Sequence, residues 1–207
     1  LPEIFLENVD FEKYADFVMD YPILFLKKDD KYLSGKNYKF SDYMNGNIQE
    51  INKSLPSIDD LGLHLSTIFT ENRLKQYIEL RSMDTCGWNC ICAGPAFFTG
   101  LLYGNLDEAL EFISKWEKKD LLNAYKDAPM KGLDTNLMGK DMIYWTSNLL
   151  KIAKKGLEKR DFIGKSGTNE TKYLEHLNKI INNKETVASH VINKFSKFQN
   201  LEDLYDK

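Results

Sequence analysis

The stretch Arg73–Arg81, RLKQYIELR, decides how this chain is read. Successive side chains of an extended segment point to opposite faces. Leu74, Gln76, Ile78 and Leu80 then share one face, and Arg73, Lys75, Tyr77, Glu79 and Arg81 share the other. The pattern predicts a strand with one largely apolar side and one densely charged side. Glu79 and Arg81, two residues apart, would project side by side. A carboxylate binds magnesium through oxygen, and a guanidinium holds a carboxylate or phosphate with paired hydrogen bonds. Phosphoryl transfer to an acid needs both a metal on the nucleotide oxygens and fixed positive charge around the transferring group. Arg73 and Lys75 would extend that positive field. Alternating charge also describes a solvated strand face whose ion pairs contribute little, so the pattern alone leaves both readings open.

Upstream, Phe11, Tyr14, Ala15 and Val18 recur at helical spacing. Pro22 favours an extended start for Ile23–Leu26. Asp29 and Asp30 separate that run from Lys31–Leu33, which predicts a small hairpin. Residues 40–46 read as a short helix closed by Gly46, and Ser57 or Asp59 can cap a helix through Leu61, Leu65 and Ile68. Downstream, Ser82–Gly87 reads as an irregular turn. Trp88–Tyr103 is apolar and helical, with Pro95 kinking it or starting its main part. Leu106, Leu110 and Ile113 mark a helix face, and a short helix over Asp120–Tyr125 precedes Pro129. Helices follow over Met142–Leu157, Tyr173–Ile181 and Thr186–Phe198, with a last turn at Leu201–Tyr205. The expected class is α+β, helix-rich, with few strands and no internal repeat.

The chain has 207 residues, 43% of them hydrophobic, with a net charge of −3. Basic residues are dispersed, against a nucleic-acid-binding stripe. No run reaches the roughly 18 apolar residues of a membrane-spanning helix, and no targeting segment is visible at the N-terminus. The opening at Leu1 reads as a piece whose upstream part is missing, so residues 1–207 form a single partial domain. Cys86, Cys90 and Cys92 are an odd, clustered set, unlike a secreted disulfide framework. A reducing cytoplasmic setting is the default. Their spacing is no standard zinc knuckle; Cys92 reads as a core residue, while Cys86 and Cys90 are oxidisable if exposed. His64, among leucines, reads as a hydrogen-bonded structural residue, and His176 and His190 as surface positions.

Residues 61–103, LGLHLSTIFTENRLKQYIELRSMDTCGWNCICAGPAFFTGLLY, resemble the plant- and proteobacterial-type glutamate–cysteine ligase family. The family pattern is close to H-L-T-T-x-F-P-E-x-R-L-K-x-Y-x-E-x-R-x-x-D-x-G-P-W, followed by an apolar C-A-x-P-A-x-x-x-G-L-L-Y segment. It is met at His64, Arg73, Lys75, Tyr77, Glu79, Arg81, Asp84, Trp88, Cys92 and Pro95, among others. Tyr14–Phe25, the Pro129–Leu133 turn and Ile152–Arg160 also fit, so the likeness covers nearly the whole chain.

The resemblance implies the C-terminal half of a glutamine synthetase-like catalytic domain, with an active site on a curved antiparallel sheet. It implies ATP-dependent joining of cysteine to the glutamate side chain through a γ-glutamyl phosphate, the first step of glutathione biosynthesis. ATP, glutamate and cysteine would be the small-molecule substrates, with no nucleic acid or membrane involved. Glu79 would bind Mg2+, Arg81 would contact glutamate or its transferring phosphoryl group, and Trp88 and Tyr77 would meet the substrate. Arg73 and Lys75 would face nucleotide phosphates. The remaining ligands would lie upstream of Leu1, leaving this fragment alone inactive. The family's G-G-P-W and its two following arginines are replaced here by Thr85, Cys86 and Gly87 before Trp88 and by Asn89 and Cys90 after it. Thr70 stands where the family has proline. Those departures keep two alternatives open: a ligase with another acceptor amine, and a non-catalytic binding module of the same fold.

Overall fold

A computed structural model of the chain describes residues 10–35, 37–84 and 86–195. Where the sequence suggests one partial domain, the chain divides into two compact units, residues 1–82 and 83–207. The described part is α+β: helices dominate, and the strands form three separate two-stranded antiparallel ladders.

In the first unit, helix α1 (Phe11–Asp20) is capped by Asp10, whose carboxylate accepts from Lys13 N at 2.9 Å. Strands β1 (Phe25–Lys28) and β2 (Lys31–Ser34) are joined through Asp29 and Asp30, with φ of 48° and 57°. A two-residue hairpin turn with both φ positive matches strand twist, and Asp tolerates that conformation. Helix α2 (Phe40–Met44) follows, and α3 (Ile58–Ser66) starts at a reciprocal cap between Ser57 and Asp60. Ile23, Leu26, Phe40, Tyr43, Ile48 and Ile51 form the core of this unit.

His64 of α3 is buried and stacks on Phe40 at 4.6 Å between ring centroids. Its Nε2 lies 2.8 Å from the Val18 carbonyl, which can only accept, so Nε2 carries the proton. Nδ1 is buried without a partner. Burial pushes His64 below its ordinary value of 6.5, against the Val18 hydrogen bond.

In the second unit, helix α4 (Ala93–Thr99) begins just before Pro95. Proline is tolerated in a first turn, where the N–H has no intrahelical partner. A π-helical turn, Gly100–Gly104, leads to α5 (Leu106–Ile113), α6 (Lys118–Lys131), the short β5 (Asn136–Leu137) and β6 (Lys140–Asp141), and α7 (Met142–Arg160). A 3-10 turn over Glu170–Leu174 precedes α8 (Glu175–Asn183), and α9 (Val187–Phe195) comes last. The expected turn at Leu201–Tyr205 lies outside the described residues. Pro129 does not end α6 as its sequence suggests. It sits in the last turns, where the one hydrogen bond it forfeits is least missed.

Helix α7 is the axis of this unit: its Leu157 packs with Ala96 and Leu174, its Ala153 with Leu101 and Ala109, and its Trp145 with Ala124 and Leu137. Gly100 meets the backbone of Ala153, and Gly104 meets that of Gly156. A β-carbon at Gly156 would collide with the Gly100 carbonyl, so only glycine permits this approach. Gly156→Ala is expected to destabilise the second unit by on the order of 3 kcal/mol, read as a lowered denaturation midpoint.

A second expectation concerns pH. The folded His64 resists the proton that the unfolded chain takes up below 6.5, so folding should weaken as pH falls through that value. Urea titrations between pH 7.5 and 5 (about one unit either side of an ordinary histidine) should show this loss. His64→Phe should flatten the dependence.

Candidate functional site

Residues 73–81 are not one strand. β3 (Asn72–Leu74) and β4 (Ile78–Leu80) form a tight antiparallel hairpin with Asn72 opposite Leu80, Arg73 opposite Glu79 and Leu74 opposite Ile78. Lys75 N donates to Tyr77 O at 2.8 Å across the tip, and Arg81 N donates to Glu71 O at 2.8 Å at the base. Directly opposed residues share a face. The alternation therefore survives the turn, and no Gly, Pro or Asn at 75–77 announces it.

On the charged face Lys75, Tyr77 and Arg81 are exposed, as expected, but Arg73 is buried. Leu74 and Ile78 are 38% and 68% exposed, whereas Arg73 is 8% exposed. The cause is a set of fixed acceptors. Arg73 Nη1 donates at 2.9 Å to the Ser66 carbonyl, at the end of α3 where helix carbonyls lack intrahelical partners. Its Nε and Nη2 lie 2.8 and 2.7 Å from Glu79 Oε2. On the other side, Arg81 Nη1 donates to Glu79 Oε1 at 3.2 Å. The Arg81 guanidinium also lies 5.3 Å from the centroid of the Phe69 ring. Thr70, buried, donates its hydroxyl to the Asn72 carbonyl and fixes the approach to β3.

Glu79 is thus one carboxylate between two guanidinium groups. The hydrogen bond from Arg73 holds its carboxyl below the ordinary value of 4.5. Partial loss of water opposes this, and the charges of Arg73, Lys75 and Arg81 assist it. An ionised carboxylate has about four acceptor sites; Glu79 accepts one hydrogen bond on Oε2 and one on Oε1, with Arg73 Nη2 in ion-pair contact with Oε2. Oε1 therefore retains capacity for a cation. Magnesium is commonly held by one or two carboxylates together with waters and substrate phosphates, so Glu79 fits as a single ligand. Among the described residues no group of three His, Cys, Asp or Glu converges to cage a metal.

The hairpin brings Arg73, Glu79 and Arg81 together. Lys75 and Tyr77 stand exposed at its tip, the Lys75 ammonium 5.9 Å from the Tyr77 ring centroid. Arg73 is committed to Ser66 and Glu79, which makes it the anchor of the hairpin. Trp88 belongs to the second unit, 86% exposed on a turn that leads into α4. That turn is held by Cys90 N donating to Gly87 O at 3.0 Å and by a disulfide between Cys86 and Cys90. The disulfide departs from the expectation of reduced thiols; the turn folds the two cysteines onto each other. Cys92, expected in the core, is instead an exposed free thiol at the start of α4. Its neighbour Ala93 takes the buried position.

The glutamate-cysteine ligase family 2 (GCS2) model matches residues 1–200. The chain belongs to this family. It is 34% identical over 196 residues to the chloroplastic glutamate–cysteine ligase of Solanum lycopersicum, covering 93% of this chain and 36% of that protein. It is 32% identical over 194 residues to that of Nicotiana tabacum, with the same coverage, 93% and 36%. Against that of Medicago truncatula the identity is 35% over 166 residues, covering 78% and 32%. This family member spans about a third of the length of those relatives. They are chloroplastic by name and lend no support to a cytoplasmic location. Among the described residues, no helix is long and apolar enough to cross a membrane.

Glu79→Gln should loosen Arg73 and lower the stability of the first unit at neutral pH. The folded pKa of Glu79 is depressed, so its contribution is present above 4.5 and is lost as pH falls through the lower folded value. Denaturant midpoints in acid should therefore fall more steeply for the native chain than for Glu79→Gln, and the two curves should converge.

Proposed function

We propose that this chain supplies the Glu79–Arg81 face to an ATP- and magnesium-dependent ligase that joins glutamate to cysteine. The observation that carries the reading is the pairing of an ionised Glu79 with Arg81 on one side of the β3–β4 hairpin. Family membership supports the same reaction class.

In the proposed reaction an oxygen of the glutamate side-chain carboxylate attacks the terminal phosphorus of ATP, and ADP leaves. The cysteine amine then attacks the acyl carbon. Phosphate leaves, the nitrogen loses a proton, and γ-glutamylcysteine is formed. Both steps gather negative charge on oxygen, which fixed cations stabilise. Arg81 is tied to Glu79 through Nη1, and its remaining guanidinium donors serve the glutamate carboxylate or the transferring phosphoryl group. Glu79 keeps Arg81 in place and would hold magnesium, which when bound neutralises phosphate charge. Lys75, exposed at the tip, is suited to a phosphate as a mobile point charge. Tyr77, at the hairpin tip, offers exposed aromatic surface to the substrates. Arg73 acts through Glu79.

The test uses the complete protein, with phosphate release and γ-glutamylcysteine measured together. Phosphate should appear only when glutamate and cysteine are both present. Arg81→Ala should lower kcat by roughly 100-fold or more, the scale for removing one charge-stabilising donor, with an unchanged far-ultraviolet circular dichroism spectrum. Arg81→Lys should recover little, because a lysine cannot reproduce the fork. Undiminished turnover by Arg81→Ala would overturn the assignment. Equal product with other amines in place of cysteine would redirect it to another acceptor.

A further inference from the structure

Within the second unit a cavity of about 650 Å3 lies among the helices, with walls from Phe97 of α4, Leu150 of α7, Ile180 of α8 and Val187 of α9. That volume is within the usual range for small-molecule pockets. Ile91 and Val187, 53% and 39% exposed, stand where it meets solvent. Phe97 and Phe98 both line it, their rings edge to face at 5.3 Å between centroids. Met83 also lines it and lies so close on Gly94 that a β-carbon there would strike the Met83 side chain. Aromatic rings and a thioether sulfur both favour an aromatic guest. The hydroxyls on the wall are taken: Thr146 Oγ1 donates to the Met142 carbonyl at 2.6 Å, and Thr186 Oγ1 lies 2.9 Å from Ser189 Oγ. The described lining residues include Asp84 but no Lys or Arg, so an anionic guest would meet neither. One polar wall group stands apart. His176, read from the sequence as a surface position, is half-buried in the first turn of α8, and its Nε2 is buried with no hydrogen-bond partner.

We propose that this cavity is a binding site for a neutral aromatic molecule carrying one hydroxyl, recognised by His176. The proposal is independent of the ligase reading. A buried imidazole nitrogen without a partner bears an unmet desolvation cost. A neutral imidazole donates from one nitrogen and accepts at the other. A hydroxyl does both, so it suits Nε2 in either tautomer, whereas a hydrocarbon does neither. Nε2 is covered where it stands, so the ring turns about its Cβ–Cγ bond, a soft torsion, to meet the guest. The apolar walls bury the aromatic body, whose removal from water supplies most of the affinity. A carboxylate in the same place would lose its water with no Lys or Arg to pair.

The experiment uses the full chain and three probes, 2-naphthol, naphthalene and 2-naphthoate, at about pH 8, above the range in which an ordinary histidine titrates. Binding is followed by NMR of the imidazole groups. The chain has three histidines, His64, His176 and His190, so each can be assigned. 2-Naphthol should bind saturably and move the His176 signals most. It should bind roughly tenfold more tightly than naphthalene, the scale of one neutral hydrogen bond. 2-Naphthoate should bind at least about tenfold more weakly than 2-naphthol. His176→Phe should keep the naphthalene affinity and lose the preference for 2-naphthol. His176→Gln, which retains a donor and an acceptor, should keep part of it. No saturable binding of 2-naphthol would overturn the proposal. So would equal affinity for naphthalene, shifts centred on His64 or His190, or an undiminished preference in His176→Phe.

Discussion

The ion pair between Arg73 and Glu79 is the constraint on which the candidate site depends. It spans the β3–β4 hairpin at directly opposed positions and is anchored below by the Ser66 carbonyl. A guanidinium can be buried because every edge of its fork finds a fixed acceptor. Glu79, held by that fork, then orients Arg81, and Phe69 supports the Arg81 plane. Removing Glu79 leaves both guanidinium groups without their shared carboxylate, so the three side chains act as one group. The buried anchor and the candidate site are therefore a single network. The acid that would meet a metal is kept ionised by the cation that stabilises the fold.

Much of the local structure is legible in the residues. Asp29 and Asp30 accept the positive φ of a tight turn, Ser57 caps α3, and Pro95 marks the first turn of α4. Each is a short-range rule met within a few residues. What is not legible depends on distant partners. Alternation over 73–81 identifies extended backbone and a shared charged face, but a three-residue reversal keeps that parity and passes unseen. Burial of Arg73 is decided by a carbonyl at the end of another element, which no local pattern encodes. Pro129 looks like a terminator until the surrounding helix is seen to tolerate it near its end.

The site shows the same division. Glu79 and Arg81 are found from their spacing, and the structure joins them. Arg73, read from its charge as a phosphate ligand, is an anchor committed elsewhere. The disulfide at Cys86 and Cys90 has a signal in the C-x-x-x-C spacing around Gly87, but closure depends on the chain turning back there. It lies where the resemblance expects Pro and Arg beside Trp88. The ring that it closes contains Gly87, which stands where the resemblance expects a proline that stiffens by fixing φ.

Phosphoryl transfer to a carboxylate is the chemistry proposed for this surface, and family membership, Glu79 and the adjacent Arg81 support that proposal. The most direct measurement follows an atom. Glutamate carrying heavy oxygen in its side-chain carboxylate is turned over by the complete protein with ATP and cysteine, and the released phosphate is analysed by mass spectrometry. An acyl phosphate requires one labelled oxygen to appear in each phosphate formed. Phosphate released without label, alongside peptide product, would contradict the account.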